Sequence, residues 1–169
     1  MKHKPLFKPC AVLAVLGLIT THAIAQMPDD AIMLGKKQLC SGFSYMHSQW
    51  NNYWEGTLKR TNANMGTVST QSAAFMGVYG ISDKLNVLVS VPYVWTHATA
   101  GTLSGLHGFQ DFSLDLKWEA LSKKTGKGTL SLFGDLGFSK PMSDYEADFQ
   151  PMSIGMGSTN LSYRITGDY

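Results

Sequence analysis

Between Asp111 and Ala120 the chain reads DFSLDLKWEA, and it alternates without a break. Phe112, Leu114, Leu116, Trp118 and Ala120 take one parity. Asp111, Ser113, Asp115, Lys117 and Glu119 take the other. A strict period of two places successive side chains on opposite faces of an extended chain, so this segment is a β-strand with one apolar and one polar face. Upstream, Leu85, Val87, Val89, Val91, Tyr93 and Trp95 repeat the pattern, with Asn86, Leu88, Ser90, Pro92, Val94 and Thr96 between them. Both runs are long. Soluble strands are mostly about 5–6 residues, whereas a tilted membrane-spanning strand takes about 9–11. The open question is whether the apolar face meets a protein core or lipid.

The rest of the chain supplies further strands. Leu39 to Gln49, Thr67 to Tyr79, Leu85 to Thr96, a fourth ending near Leu121, Thr129 to Ser139, and a sixth from about Ser153 to the end all read as extended. Phe133 is the one apolar residue on the polar face of the fifth strand. Pro92 has no N–H for a ladder, which predicts a bulge or irregular spot there. The connections alternate in length. Trp50–Gly66, His97–Gly108 and Lys140–Met152 are long, whereas Gly80–Lys84 and Ser122–Gly128 are short. Long loops at one end and tight turns at the other are the pattern of an up-and-down transmembrane β-barrel. In that topology Tyr45, Tyr93, Trp95, Phe112 and Phe138 fall near one rim, and Tyr79, Trp118 and Tyr163 near the other. Such bands resemble the aromatic girdles of membrane barrels. A soluble sandwich or lipocalin-like barrel explains the alternation equally well, but not the loop asymmetry or the bands.

Residues 1–25 read as a cleaved signal peptide. Lys2, Lys4 and Lys8 precede the apolar run Ala11–Thr20, and Ala23-Ile24-Ala25 is a small-x-small cleavage site. The run is too short for an anchor helix, which needs about 20 apolar residues. The domain is then 26–169. It keeps 11 of the 14 Lys and Arg against 12 acidic residues, a formal charge of about −1, so nothing points to nucleic acid. Cys40 is its only cysteine, which excludes an intrachain disulfide. An exported chain of this kind is expected in the bacterial outer membrane, in contact with its lipid and with the barrel assembly machinery.

Two stretches carry a resemblance. Tyr79-Gly80-Ile81-Ser82-Asp83-Lys84-Leu85 runs into Val89-Ser90-Val91-Pro92-Tyr93, and Gly108-Phe109-Gln110-Asp111-Phe112 leads into Leu116-Lys117-Trp118. These resemble the outer-membrane β-barrel family labelled for the MetA-pathway of phenol degradation, whose members are often described as transporters. Gln110 stands where that family has a small residue. The resemblance covers about residues 67–169. It implies an outer-membrane location and passage of small hydrophobic or aromatic compounds, and it carries no catalytic residues. Members of that family are longer, and six strands are fewer than the roughly eight that close a single-chain barrel. The chain therefore reads as a truncated member, as a fragment, or as a protomer that closes as a homo-oligomer, with the fragment favoured.

The candidate functional residues are lumen-lining: Ser113, Asp115, Lys117, Glu119, Ser131 and Asp135, the polar face of two neighbouring strands. Their expected role is to tune passive passage, with no covalent chemistry, cofactor or metal. An acid–base pair among these carboxylates is the weaker reading, because barrel interiors are polar by default. His97 and His107 share one loop but lack partners at ligand spacing. Asp144, Glu146 and Asp148 lack the glycine turn and terminal Glu of a calcium loop. Gly126-Lys127-Gly128-Thr129 lacks the spacing of a phosphate loop. Two other outcomes remain for the chain, a non-conducting structural barrel and a soluble periplasmic lipid-binding β-protein.

Overall fold

The computed structural model describes residues 26–169, so the signal segment lies outside the described residues. These form nine strands and no helix. Six are long: β1 (Leu39–Trp50), β4 (Val68–Ser82), β5 (Leu85–Ala98), β7 (Asp111–Thr125), β8 (Gly128–Pro141) and β9 (Asn160–Asp168). Three are short: β2 (Asn52–Glu55), β3 (Leu58–Thr61) and β6 (His107–Phe109). The main sheet runs β1-β4-β5-β7-β8-β9, with β6 beside β5, while β2 and β3 pair with each other alone. Every pairing is antiparallel. The protein is thus all-β, an up-and-down meander whose long strands pair in chain order. It is not a closed barrel, because β1 and β9 are the two edges of an open sheet.

Three local expectations need correcting. The Trp50–Gly66 segment is not a plain loop, since it folds into the β2–β3 hairpin, turning at Gly56 with φ 61°. The basic turn is shorter than Ser122–Gly128: β7 and β8 zip up to Thr125↔Gly128, leaving Gly126 and Lys127 outside the ladder. Gly126 has φ 63°, a conformation costly for a residue with a Cβ. The last strand begins at Asn160 rather than near Ser153, because Met152 and Ile154 are instead buried against the sheet, 1% and 3% exposed. The irregularity expected at Pro92 is present. Ser90 pairs with Ser113, yet three residues on Tyr93 pairs with Phe109, four residues back, so one extra residue bulges opposite Pro92. The Gln110 N–H reaches the Pro92 carbonyl at 3.0 Å.

The two faces of the sheet are sorted by polarity most cleanly in β7 and β8. On one face lie Val87, Leu116, Leu136 and Tyr163 in a single cross-strand row, with Val89, Leu114, Phe138 and Leu161 in the next. Nothing among the described residues covers this open face, and Leu114, Leu116, Leu136 and Leu161 are 40%, 38%, 40% and 75% exposed. The opposite face is covered at both ends. Residues 26–38 lie over the end with the two-residue turns, and the 142–159 loop lies over the other.

The aromatic residues largely fall into rows at the two ends of the open face. Tyr93 sits beside Trp95 and Phe109, with ring centroids at 4.8 and 5.1 Å. Its row continues through Ala73 to Tyr45. At the turn end Trp118 lies 6.0 Å from Tyr163. Phe138 departs from its expected place near the loop rim. It pairs with Leu114 and Leu161 in the central row, and touches Phe112 at 5.8 Å.

Candidate functional site

The six residues predicted to line a lumen share the covered face, because each takes the polar parity of β7 or β8. One row crosses three strands with alternating charge, Lys117↔Asp135↔Arg164, and continues through Asn86 to Gly80. Cross-strand neighbours of opposite charge attract, so the row is self-consistent. Arg164 escaped prediction, although it stands on the polar parity of β9 between Tyr163 and Ile165.

The second feature missing from the sequence reading is what covers that row. Lys117 is 0% exposed, a rare state for a lysine unless it is paired. Its Nζ donates to the Asp30 carboxylate at 2.5 Å and to the Met27 carbonyl at 2.8 Å. Asp30 is prepared for this by its own turn: its carboxylate accepts from the backbone N–H of Met27 at 2.6 Å and of Ile32 at 2.9 Å. Burial alone pushes the Asp30 carboxyl up, but the Lys117 ammonium and the two N–H donors outweigh it and hold it below the usual carboxylate range.

Further contacts fix the same segment. With its amide turned so that oxygen and nitrogen each meet a complementary group, the buried Asn86 side chain accepts from Leu34 N–H at 2.7 Å and donates to the Leu34 carbonyl at 3.1 Å. Leu34 packs on Val78 and Leu88. The N–H of Lys37 bonds the Gly80 carbonyl at 2.7 Å, Gly80 N–H returns to Gln38 at 2.9 Å, and Lys36 N–H reaches Asp83 at 2.9 Å. A Cβ on Gly80 would collide with the Gly35 carbonyl, so the glycine of the Tyr79-Gly80-Ile81 stretch admits this segment. Phe133, the exception to the alternation, is 5% exposed with its ring 6.0 Å from the Lys117 ammonium. An aromatic face at that distance is a favourable neighbour for a buried cation.

The loop end is closed differently. Thr96 is buried, donates to the Met152 carbonyl at 2.7 Å and accepts from Leu106 N–H at 3.1 Å. Val68, Ala98 and Met152 pack into one apolar cluster. Tyr145 hydrogen-bonds Asp111, and its burial, aided by that carboxylate, raises the phenol above its usual pKa.

Between the two covers the face is not filled. A cavity of about 370 Å³ is lined by Ser113, Asp115, Asp135, Ser162 and Arg164, and by Pro28 and Asp29 of the covering segment. It takes in three of the six predicted residues. Lys117 is sealed below it, and Glu119 and Ser131 lie further toward the turn end, near Phe133 in the ladder. A second cavity of about 250 Å³ lies under the loop, beside Met46, Ser72, Val94 and Ile154. Among the described residues no group of three His, Cys, Asp or Glu side chains is placed to hold a metal. No protein-family model, curated protein or solved structure matches this chain.

Proposed function

We propose that this chain is an outer-membrane β-barrel protein of the kind its sequence resembles, passing or binding small hydrophobic or aromatic compounds without covalent chemistry. The observation that carries this reading is the inverted polarity of the sheet. Leucines stand uncovered on one face while a lysine and an aspartate are buried on the other. Water as solvent on both sides disfavours that arrangement, and lipid on one side favours it.

The dimensions agree. From Leu85 to Trp95 the outward parity of β5 is unbroken over ten steps. Ten steps of about 3.3 Å make about 33 Å of strand, and a tilt of about 40° reduces this to about 25 Å, the height of a membrane barrel's apolar band. Exposed edges do not persist in the hydrocarbon region, so β1 and β9 are closed in the working protein by further strands or by another copy. Ser113, Asp115, Lys117, Glu119, Ser131 and Asp135 then face the lumen.

The segment over Lys117 favours a second reading, a barrel plugged and non-conducting at rest. Fractionation tests the location: the protein is expected to pellet with outer membranes and resist carbonate extraction. Recovery in the soluble periplasmic fraction rejects the reading. Solute uptake by cells, with and without residues 26–36, separates the open from the plugged form.

A further inference from the structure

We infer that the cavity between residues 28–29 and strands β7–β9 is a binding site for an organic ammonium group, so that the small aromatic solutes this protein takes include amines. The charge of the cavity wall is the first ground. Asp29, Asp115 and Asp135 line it against Arg164 alone. Lys117 does not restore the balance, because Asp30 already neutralises it at 2.5 Å. The wall therefore carries a surplus of negative charge in a place partly shielded from water, where a cation is attracted more strongly than at an open surface.

The second ground is an unmet hydrogen bond. Asp135 is 5% exposed, and its Oδ1 is enclosed with no hydrogen-bond partner. An enclosed carboxylate oxygen without a donor is costly, and because Asp135 lines the cavity, a solute that draws this side chain toward it supplies the missing donor. An ammonium carries three donors and no acceptor, which suits a wall rich in carboxylate and hydroxyl oxygens. A neutral alcohol brings one donor and no charge.

The third ground is space. Gly137 pairs with Asp115 and Ser162 in the ladder. A Cβ there would collide with Asp115 Oδ1 and Ser162 Oγ, so glycine keeps those two oxygens together and accessible. The volume of about 370 Å³ accommodates a single-ring solute.

This inference rests on the reading of the covered face as a solute-binding lumen, but its test does not require a membrane. The full chain is folded in detergent micelles, with its β-sheet content checked by circular dichroism. Calorimetry then compares benzylammonium with benzyl alcohol, which shares the ring and lacks the charge. Benzylammonium is expected to bind at least about tenfold more tightly, the usual scale for a charge-assisted hydrogen bond. Asp135→Asn is expected to remove about that factor. If that variant fails to fold, Asp115→Asn serves in its place, with a smaller loss. Equal binding of the two probes, binding of neither by the folded chain, or benzylammonium binding unchanged by the substitution overturns the inference. Fractionation tests the membrane reading separately, so the failure of one is not mistaken for failure of the other.

Discussion

The β4–β5 and β7–β8 hairpins share one sheet, yet their covered faces differ. In β4–β5 the covered side chains are mostly neutral: Val78, Leu88, Val94 and Thr96, packed on Leu34 at one end and on Met152 at the other. In β7–β8 they are charged, with Lys117 and Asp135 buried and Asp115 partly so. The outward faces are alike in being apolar, with Phe75, Val87 and Val89 on one hairpin and Leu114, Leu116, Leu136 and Phe138 on the other. What faces outward is thus uniform along the sheet, while each covered face matches its own cover. Leu34 meets a greasy patch, and Asp30 meets an ammonium.

Removing Asp30 breaks the comparison hardest. Lys117 would then be buried without its counter-ion, and breaking a buried pair from one side costs about 3–5 kcal/mol. Because Asp30 keeps 25% of its side chain exposed, the lower end applies. Asp30→Ala is expected to undock residues 26–38, read as protease cleavage of that segment. Lys117→Met removes the buried ammonium itself and leaves Asp30 partly open to water, and is expected to keep the segment docked more firmly than Asp30→Ala does.

Next in size is the shared face. Leu116→Arg is expected to lower the membrane-inserted fraction, since an arginine at the lipid midplane costs about 2–4 kcal/mol. Asp115→Arg, one residue away on the other face, is expected to insert normally. Equal impairment by both would erase the difference between the faces.

Leu34→Ala sharpens the neutral half. Buried Leu→Ala changes cost about 2–5 kcal/mol, and about 2 is expected here because Leu34 sits in a small cluster with Val78, Leu88 and Cys40. Urea titration of segment release reads it, and Asp30→Ala should release the segment at lower urea than Leu34→Ala.

The smallest effect is the pH dependence of docking. The folded Asp30 pKa lies below its unfolded value. Its contribution is therefore complete above about pH 4 and is lost as pH falls through the folded value. Segment release measured from pH 6 downward should begin only below about pH 4, and Asp30→Asn should flatten that dependence.

Much of this fold is legible in the chain, and the same contrast explains where legibility ends. In β7 the covered face is polar, so alternation is clean and the faces can be assigned as far as Glu119, where a bulge before Leu121 shifts the register. In β5 both faces hold apolar residues, so Leu88 and Val94 blur the pattern although the strand itself is evident. The β2–β3 hairpin hides in Trp50–Gly66 because it has four residues a side and packs on nothing that would impose a period. The Lys117–Asp30 pair links residues 87 apart, and no local signal in DDAIMLGKK marks that segment as the cover of β7. Asn62 reads as an exposed loop residue but is 7% exposed. Surface-labelling cysteines therefore belong at Thr102 or Asn64, which are exposed. In a Cys40→Ser background those positions are expected to label on intact cells, and Thr125 is not.

The central claim is that the open face meets lipid and the covered face does not. Single cysteines at Leu114 and Asp115, adjacent on β7 and opposite in direction, carry the same small fluorophore in reconstituted vesicles. Lipids brominated near mid-chain quench only what touches the acyl region. Strong quenching at position 114 with little at 115 is the predicted result. Equal quenching at the two positions, or none at 114, contradicts the account.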